Sequence, residues 1–333
     1  MAAPAFWFAP RPGVLACALS PCGLLYGAIT AWRMARPGFA AGVPVICIGN
    51  FVAGGAGKTP MAIFVAQLLL AQGFRPFFLS RGFGGRAGRA AVLVDLARHT
   101  SLDVGDEPLL LAQIAPVMVC ADRVAGALAA MAAGATVLIM DDGLQNPALA
   151  KDLSFAMVDA ATGFGNGLCL PAGPLRAPVA KQWQHVAAVV IVGAGPAGEV
   201  AGQMASAAGR KVIHASLVPD PAVARHLRGQ KVIAFAGIGR PAKFFETLEK
   251  IGASIAGRHA FADHHRYGVA EIAALQAEAR SKAALLVTTQ KDLARSGPWP
   301  HAPFPIALPV QLMLDAAVDG LLAQVVPGFR ELA

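Results

Sequence analysis

The stretch FVAGGAGKTP, residues 51–60, limits the fold more than any other part of this sequence. Three glycines, Gly54, Gly55 and Gly57, stand just ahead of a Lys58-Thr59 pair. The run before it, VPVICIGN (43–50), is apolar and β-branched and reads as a buried strand. The run after it, MAIFVAQLLLAQG (61–73), carries helical periodicity and stops at Gly73. Strand, glycine loop and helix together form the setting in which backbone N–H groups and a helix N-terminus converge on a phosphate. In that setting Gly54, Gly55, Ala56 and Gly57 cradle the phosphates. Lys58 neutralises the β- and γ-phosphates, and the Thr59 hydroxyl sits on Mg2+. A glycine turn capping an ordinary helix would leave the flanking strand unexplained, so the chain is expected to bind a nucleotide, ATP.

The loop departs from the common G-x-x-x-x-G-K-[ST] pattern at Val52, where that pattern has glycine. Its G-G-x-G-K-T form resembles the variant loop of ParA-like ATPases and dethiobiotin synthetase. The ParA signature lysine would fall at position 53, which is Ala53, and this argues against a dimerising switch ATPase.

A hydrophobic fraction of 56% and a mean hydropathy of +0.54 are high, although the apolar residues are mostly Ala, Val and Leu in α/β patterns. The 28 basic residues against 20 acidic give a net charge of +8, which suits an anionic lipid surface or a phosphorylated substrate. No basic-aromatic cluster points to nucleic acid. Cys17, Cys22, Cys47, Cys120 and Cys169 lack CxxC or metal-ligand spacing and read as reduced thiols of a cytoplasmic protein. Residues 13–32 carry no charge and are followed by Arg33 and Arg36. They are long enough to span a bilayer, and with Pro21 and the flanking Phe6, Trp7 and Phe8 they fit a helix lying in the interface equally well. We expect this helix to be seated on the membrane, with the catalytic body on the cytoplasmic side.

Short apolar runs alternate with helical stretches along the rest of the chain, which indicates an α/β fold with a parallel sheet covered on both faces. The expected organisation is a membrane-associated helix over 1–38, a P-loop core over 39–210, a linker over 211–228 and a smaller α/β unit over 229–325.

Several segments carry chemistry. TVLIMDDGLQNP (136–147) is a strand ending in two aspartates, and Asp141 or Asp142 is expected to hold Mg2+ beside the loop. DVGDEPLLLA (103–112) places Asp106 and Glu107 before Pro108; taken alone, these are an acidic helix start favoured by the helix dipole. FADHHRYG (261–268) reads as a loop histidine pair acting at a cleft, since adjacent histidines rarely converge on one metal. The Gly/Pro-rich GNGLCLPAGPLRAP (165–178) presents Asn166 and Arg176 for binding, with Arg176 suited to phosphate. Arg81 and Arg123 are further anion candidates.

GNFVAGGAGKTP, LSRGFGG, VGDEP, DDGLQNP, LPAGPLR, FADHH and TTQKD occur in order, and together they resemble the motifs of the lipid A 4′-kinases (tetraacyldisaccharide 4′-kinases) over nearly the full chain. The resemblance implies transfer of the ATP γ-phosphate to the 4′-hydroxyl of a tetraacylated glucosamine disaccharide 1-phosphate. The reaction would take place at the cytoplasmic face of the inner membrane, with no obligate protein partner. It implies that Asp106 and His264 form the pair activating that hydroxyl. It also implies that Lys58 and Thr59 serve ATP and Mg2+, and that Asp141 and Asp142 form the second acidic site. Gln290 and Ala177 stand where the family usually shows Glu.

Overall fold

The computed structural model describes residues 3–86, 90–297, 299, 301–315 and 318–331. Its strands are β1 (Val45–Asn50), β2 (Pro76–Ser80), β3 (Val92–Leu93), β4 (Val117–Val119), β5 (Val137–Asp141), β6 (Leu153–Asp159) and β7 (Ala188–Val192). They continue as β8 (Lys211–Pro219), β9 (Lys231–Ala236), β10 (Ser254–Ala260), β11 (Leu285–Thr289), β12 (Ile306–Leu308) and β13 (Val310–Leu314). Nine of them form a large sheet in the order β13-β8-β7-β6-β1-β5-β2-β4-β3, and four form a small sheet in the order β10-β9-β11-β12. The small sheet is parallel throughout. The large sheet is parallel except at its two rims, where β13 runs against β8 and β3 against β4.

Alternation along each central strand explains why both faces of the large sheet are covered. In β1, Ile46 and Ile48 enter one core and Val45 and Cys47 the other. In β5, Val137 and Ile139 go one way, and Leu138 and Met140 the other. A side-chain period of two gives each strand two buried faces only when helices lie on both sides. The first core is closed by Met61, Val65 and Leu69 of the helix Lys58–Ala71. The second is closed by small residues, Ala127 and Ala130 of one helix and Ala201 and Ala205 of another, which let helix backbones approach the sheet. The small sheet repeats the arrangement, with Phe244, Phe245 and Leu248 beneath it and Ile272, Leu275 and Ala279 above.

The expected boundaries shift at two places. Residues 211–219, expected in a linker, are β8, which pairs with β7 inside the large sheet. Residues 310–325, expected in the smaller unit, supply β13 and the helix Asp319–Val325, and both return to the large sheet's core. The reason is pairing. The partner of β8 on its outer side is β13, so the segment between them, carrying the small sheet, is an insertion whose ends meet where Asp220 N donates to Pro309 O at 2.9 Å. β8 is only partly buried, next to the rim, and so lacks the unbroken apolar burial of the central strands.

The helix Val14–Met34 is the one helix among the described residues long and apolar enough to cross a membrane. It buries Ala16, Gly23, Gly27 and Met34 and exposes Val14, Leu15, Leu24, Leu25, Tyr26, Ile29 and Trp32.

Candidate active site

All parallel strands of the large sheet end on one edge, and β1 and β5 lie side by side there with Ile48 opposite Asp141. The loop after β1 is shaped by two glycines with positive φ, Gly54 at 123° and Gly57 at 85°, a region L side chains enter only under strain. Asn50, fully buried at the strand end, donates to Gly54 O at 2.8 Å and fixes the loop's entry. Lys58 opens the following helix and reaches back to Gly54 O at 3.2 Å and to Asp142 at 3.8 Å. Ala56 and Thr59 are buried beside it, whereas Gly54 and Gly55 are exposed.

The two aspartates divide. Asp142, with a positive φ of 51°, turns away from the strand axis and is clasped by Arg176 through two bonds of 2.7 and 2.9 Å. Burial alone would raise its pKa, but the charges of Lys58 and Arg176 outweigh burial and hold it below the usual carboxylate range. Asp141 is 3% exposed and is pushed up by burial first, then by the charges of Glu107 and Asp142. Its Oδ1, like Asn50 Oδ1, is buried without a hydrogen-bond partner. Two orphaned oxygens, a buried threonine hydroxyl and a carboxylate destabilised by neighbouring negative charge form a hard-oxygen environment suited to Mg2+. That ion takes few protein ligands and completes its shell with phosphate and water. Among the described residues no cluster of three or more His, Cys, Asp or Glu forms a self-sufficient metal cage.

Arg123 begins a helix capped by Asp122, is 5% exposed and donates to Cys120 O at 3.3 Å. Burial lowers its pKa, the charge of Asp141 opposes that, and the charge of Arg81 adds to it. Arg81 therefore lies within electrostatic reach of Arg123. Asn166 takes a different role from the one expected. Its amide donates to Phe6 O at 3.3 Å and Ala172 O at 3.0 Å, and its Oδ1 accepts from Leu168 N at 3.1 Å. That side chain is spent on folding its own loop and tying it to residues 5–8, where Trp7 also donates to Pro171 O at 3.0 Å. Nothing in the sequence distinguishes a loop-organising Asn from a ligand-binding one.

Across from this edge stands the corresponding edge of the small sheet. Segments following β9, β10 and β11 meet the large sheet there: Arg240 bonds Asp159 at 2.8 Å, Arg266 donates to Gly84 O at 3.1 Å and Lys291 pairs with Glu107 at 2.5 Å. At the same contact His264 Nδ1 lies 3.4 Å from Asp106 Oδ2. His264 has a positive φ of 59°, and its ring packs edge-on to Phe83 at 5.6 Å. Its pKa is raised chiefly by the Asp106 hydrogen bond, against partial burial. Asp106 is 5% exposed; burial would raise it, but His264 and Arg295 together bring it well below the usual range. The sequence signal for Asp106 as a mere helix start was correct locally, since it opens the helix Asp106–Leu111. What the local pattern could not show is that a second sheet brings His264, Lys291 and Arg295 onto it. Lys291 was in view within TTQKD; Arg295, one helical turn later, was not.

The sequence matches the family model described as tetraacyldisaccharide-1-P 4′-kinase over residues 15–327. The tetraacyldisaccharide 4′-kinase of Methylobacterium nodulans is 54% identical over 322 residues, spanning 97% of this chain and 94% of its own. That of Methylobacterium sp. strain 4-46 is 52% identical over 96% of each chain. That of Bradyrhizobium sp. strain BTAi1 is 51% identical over 89% of this chain and 85% of its own. Among solved structures, the "apo" form of LpxK from Aquifex aeolicus in complex with ATP superposes with a TM-score of 0.73 at 24% identity, covering 94% of this chain and 98% of that one. That likeness speaks for the fold.

Proposed function

The chain belongs to the tetraacyldisaccharide-1-P 4′-kinase family, and on that premise we propose that it phosphorylates the 4′-hydroxyl of a tetraacylated glucosamine disaccharide 1-phosphate with ATP, a step of lipid A biosynthesis, in the cleft between its two sheets. The glycine loop holds the triphosphate, with Lys58 against the β- and γ-phosphates. Thr59 and Asp141 are the residues that would hold Mg2+, which when bound neutralises phosphate charge. Asp142 is kept ionised by Lys58 and Arg176 and orients both cations along the phosphate path. Arg81 and Arg123 face anionic oxygen at the same edge. Asp106 and His264 activate the acceptor. The acceptor's O–H proton passes to this pair, the O4′–P bond forms, the bond from the γ-phosphorus to its bridging oxygen breaks, and ADP leaves.

The helix Val14–Met34 would lie in the membrane surface, with its exposed apolar side in lipid and its Gly23 and Gly27 side on the loop 165–178. A headgroup lifted from that surface then reaches the cleft with its acyl chains still in lipid. The cytoplasmic face of the inner membrane, where ATP is present, is the matching location.

The observation that carries this reading is the 3.4 Å contact of Asp106 with His264, which joins two segments from different sheets beside the glycine loop. Detergent-solubilised protein, labelled ATP and the acylated disaccharide 1-phosphate test it. Asp106→Asn should lower kcat roughly 10²–10⁴-fold with ATP affinity nearly unchanged, and His264→Ala somewhat less. The double variant should lose little more than Asp106→Asn alone, because the two act as a unit. Fully additive losses, or a lower Tm with kcat preserved, would rule out the pair.

A further inference from the structure

The starts of the parallel strands, on the edge of the large sheet opposite the glycine loop, gather basic side chains that the proposed function leaves without a task. The chain leaving the helix Val14–Met34 runs along residues 148–150: Phe39 N donates to Ala148 O at 2.9 Å, and Ala150 N to Phe39 O at 3.0 Å. A Cβ at Gly38 would fall 2.3 Å from Ala150 N, so only glycine lets the two segments touch. Between this junction and the entries to β6, β7 and β8 lies a recess of about 370 Å³. Arg36, Lys151, His185 and Arg210 line it, and Asp152 is the one acidic side chain among its described lining residues.

Each basic group is partnered by a neutral one. Lys151 Nζ donates to Asn146 O at 2.5 Å. Arg210 donates to Ala208 O through Nε at 3.0 Å and to Val186 O through Nη1 at 3.1 Å, and its Nη2 takes no partner among the described residues. His185 Nε2 meets the Gln184 amide at 3.2 Å, and Arg36 stacks on the Trp32 ring at 3.8 Å. The Asp152 carboxylate is occupied by Val45 N at 2.7 Å. Burial lowers the pKa of Lys151, and burial followed by the Lys151 charge lowers that of His185. Basic groups held together without a counter-charge leave room for an anion.

The position of the recess narrows the choice of anion. The strand β6 separates it from the catalytic edge by about 20 Å, further than two sugar rings span, so an acceptor in the cleft does not place its own phosphate here. The adjoining helix end points to lipid instead. Leu24, Leu25, Ile29 and Trp32 are exposed on that helix, and aromatic and basic residues at the end of an apolar segment sit at headgroup level. We propose that the recess binds the phosphate of an anionic phospholipid headgroup, with Lys151 and Arg210 as its fixed cations and Arg36 at its membrane side. The site shares with the proposed function only the seating of the N-terminal helix and takes no part in phosphoryl transfer.

Native mass spectrometry of the full-length protein, released from neutral detergent with added phosphatidylglycerol, tests the site free of any diffuse membrane potential. Wild type should retain one phosphatidylglycerol and far less phosphatidylcholine. Lys151→Gln with Arg210→Gln should lower that retention at least about tenfold, at about fivefold for each lost charge. Arg33→Gln with Arg225→Gln removes the same charge outside the recess and should retain lipid as wild type does. Undiminished retention in the recess variant, or equal loss in the control, would overturn the proposal. So would complete displacement of the lipid by millimolar inorganic phosphate, which marks a site for free anions. The recess variant should keep its kcat and its KM for the acylated disaccharide in detergent. A raised KM would place the acceptor's own phosphate in the recess and overturn the assignment to a separate lipid. If the double variant does not fold, the two single variants are read by the same criteria. Protein that retains phosphatidylglycerol yet transfers no labelled phosphate would defeat the kinase reading and leave this site standing.

Discussion

Lys58 stands between a loop carbonyl and the Asp142 carboxylate, so the loop keeps its cation paired before a triphosphate displaces those partners. The arrangement preorganises charge where phosphate charge will sit, and preorganised charge in a water-poor site is worth far more than in bulk water. Lys58→Ala should therefore cost about 10²–10³-fold in kcat, about 3–4 kcal/mol of transition-state stabilisation. It should also leave Asp142 with Arg176 as its remaining close cationic partner. Single-turnover transfer of labelled phosphate measures the loss; near-normal turnover would show that the loop does not carry the chemistry. Arg176 illustrates how one residue serves two neighbours. Its backbone N donates to Phe51 O at 2.9 Å, ahead of the glycine loop, while its guanidinium clasps Asp142, after β5.

At the scale of elements, the strand-loop-helix unit was legible because its determinants are contiguous: glycines needing positive φ, a buried strand before them and a periodic helix after. The second aspartate strand was legible for the same reason. β8 and β13 were not, because both are only partly buried at or next to the rim and the residues they pair lie more than ninety positions apart, and no local pattern encodes that pairing. Asp106 and His264 were brought together only by family resemblance, since their meeting depends on how an inserted sheet docks. The N-terminal helix was visible as an uncharged run, but its mode of attachment was not. A Cβ at Gly27 would fall 2.8 Å from Cys169 Sγ, and one at Gly23 2.7 Å from Cys169 O, so this helix rests directly on the loop that carries Arg176. Two substitutions separate its two faces. Leu25→Lys, on the exposed side, should weaken partition onto anionic vesicles while leaving kcat in detergent unchanged. Gly27→Leu should lower kcat in detergent as well, by pushing the helix off the loop. Equal kcat in both variants would show that the loop does not transmit the helix's position.

For the whole molecule, the cleft is closed by charges of opposite sign on the two sheets, and its strength follows pH from both ends. His264 has a raised pKa, so its contribution to stability is complete below the ordinary imidazole value of about 6.5 and is lost as pH rises through its folded value. Asp106 has a lowered pKa; its contribution is complete above the ordinary carboxylate value of about 3.9 and is lost as pH falls through its folded value. The paired state is therefore strongest between roughly pH 4 and 6.5. A base, however, must be unprotonated, so kcat should climb in the range above pH 6.5 where the His264 share of stability is disappearing. Melting curves from pH 5 to 9 should show Tm falling more for wild type than for His264→Gln, while wild-type kcat rises. Parallel Tm curves would mean the pair adds nothing to closure.

The return of β13 has a consequence in the time domain of synthesis. Leu312, Leu322, Val326 and Phe329 complete the core in which Met61, Val65 and Leu69 of the loop helix are buried. A chain emerging from the ribosome at about 5–20 residues per second has the nucleotide loop outside early. It must then wait more than ten seconds for the strand and helix that cover the back of that loop's helix. Throughout that interval the nascent protein presents an apolar helix flank, joined by the unpaired rim of β8 once that strand has emerged, beside an apolar N-terminal segment that emerged before them both.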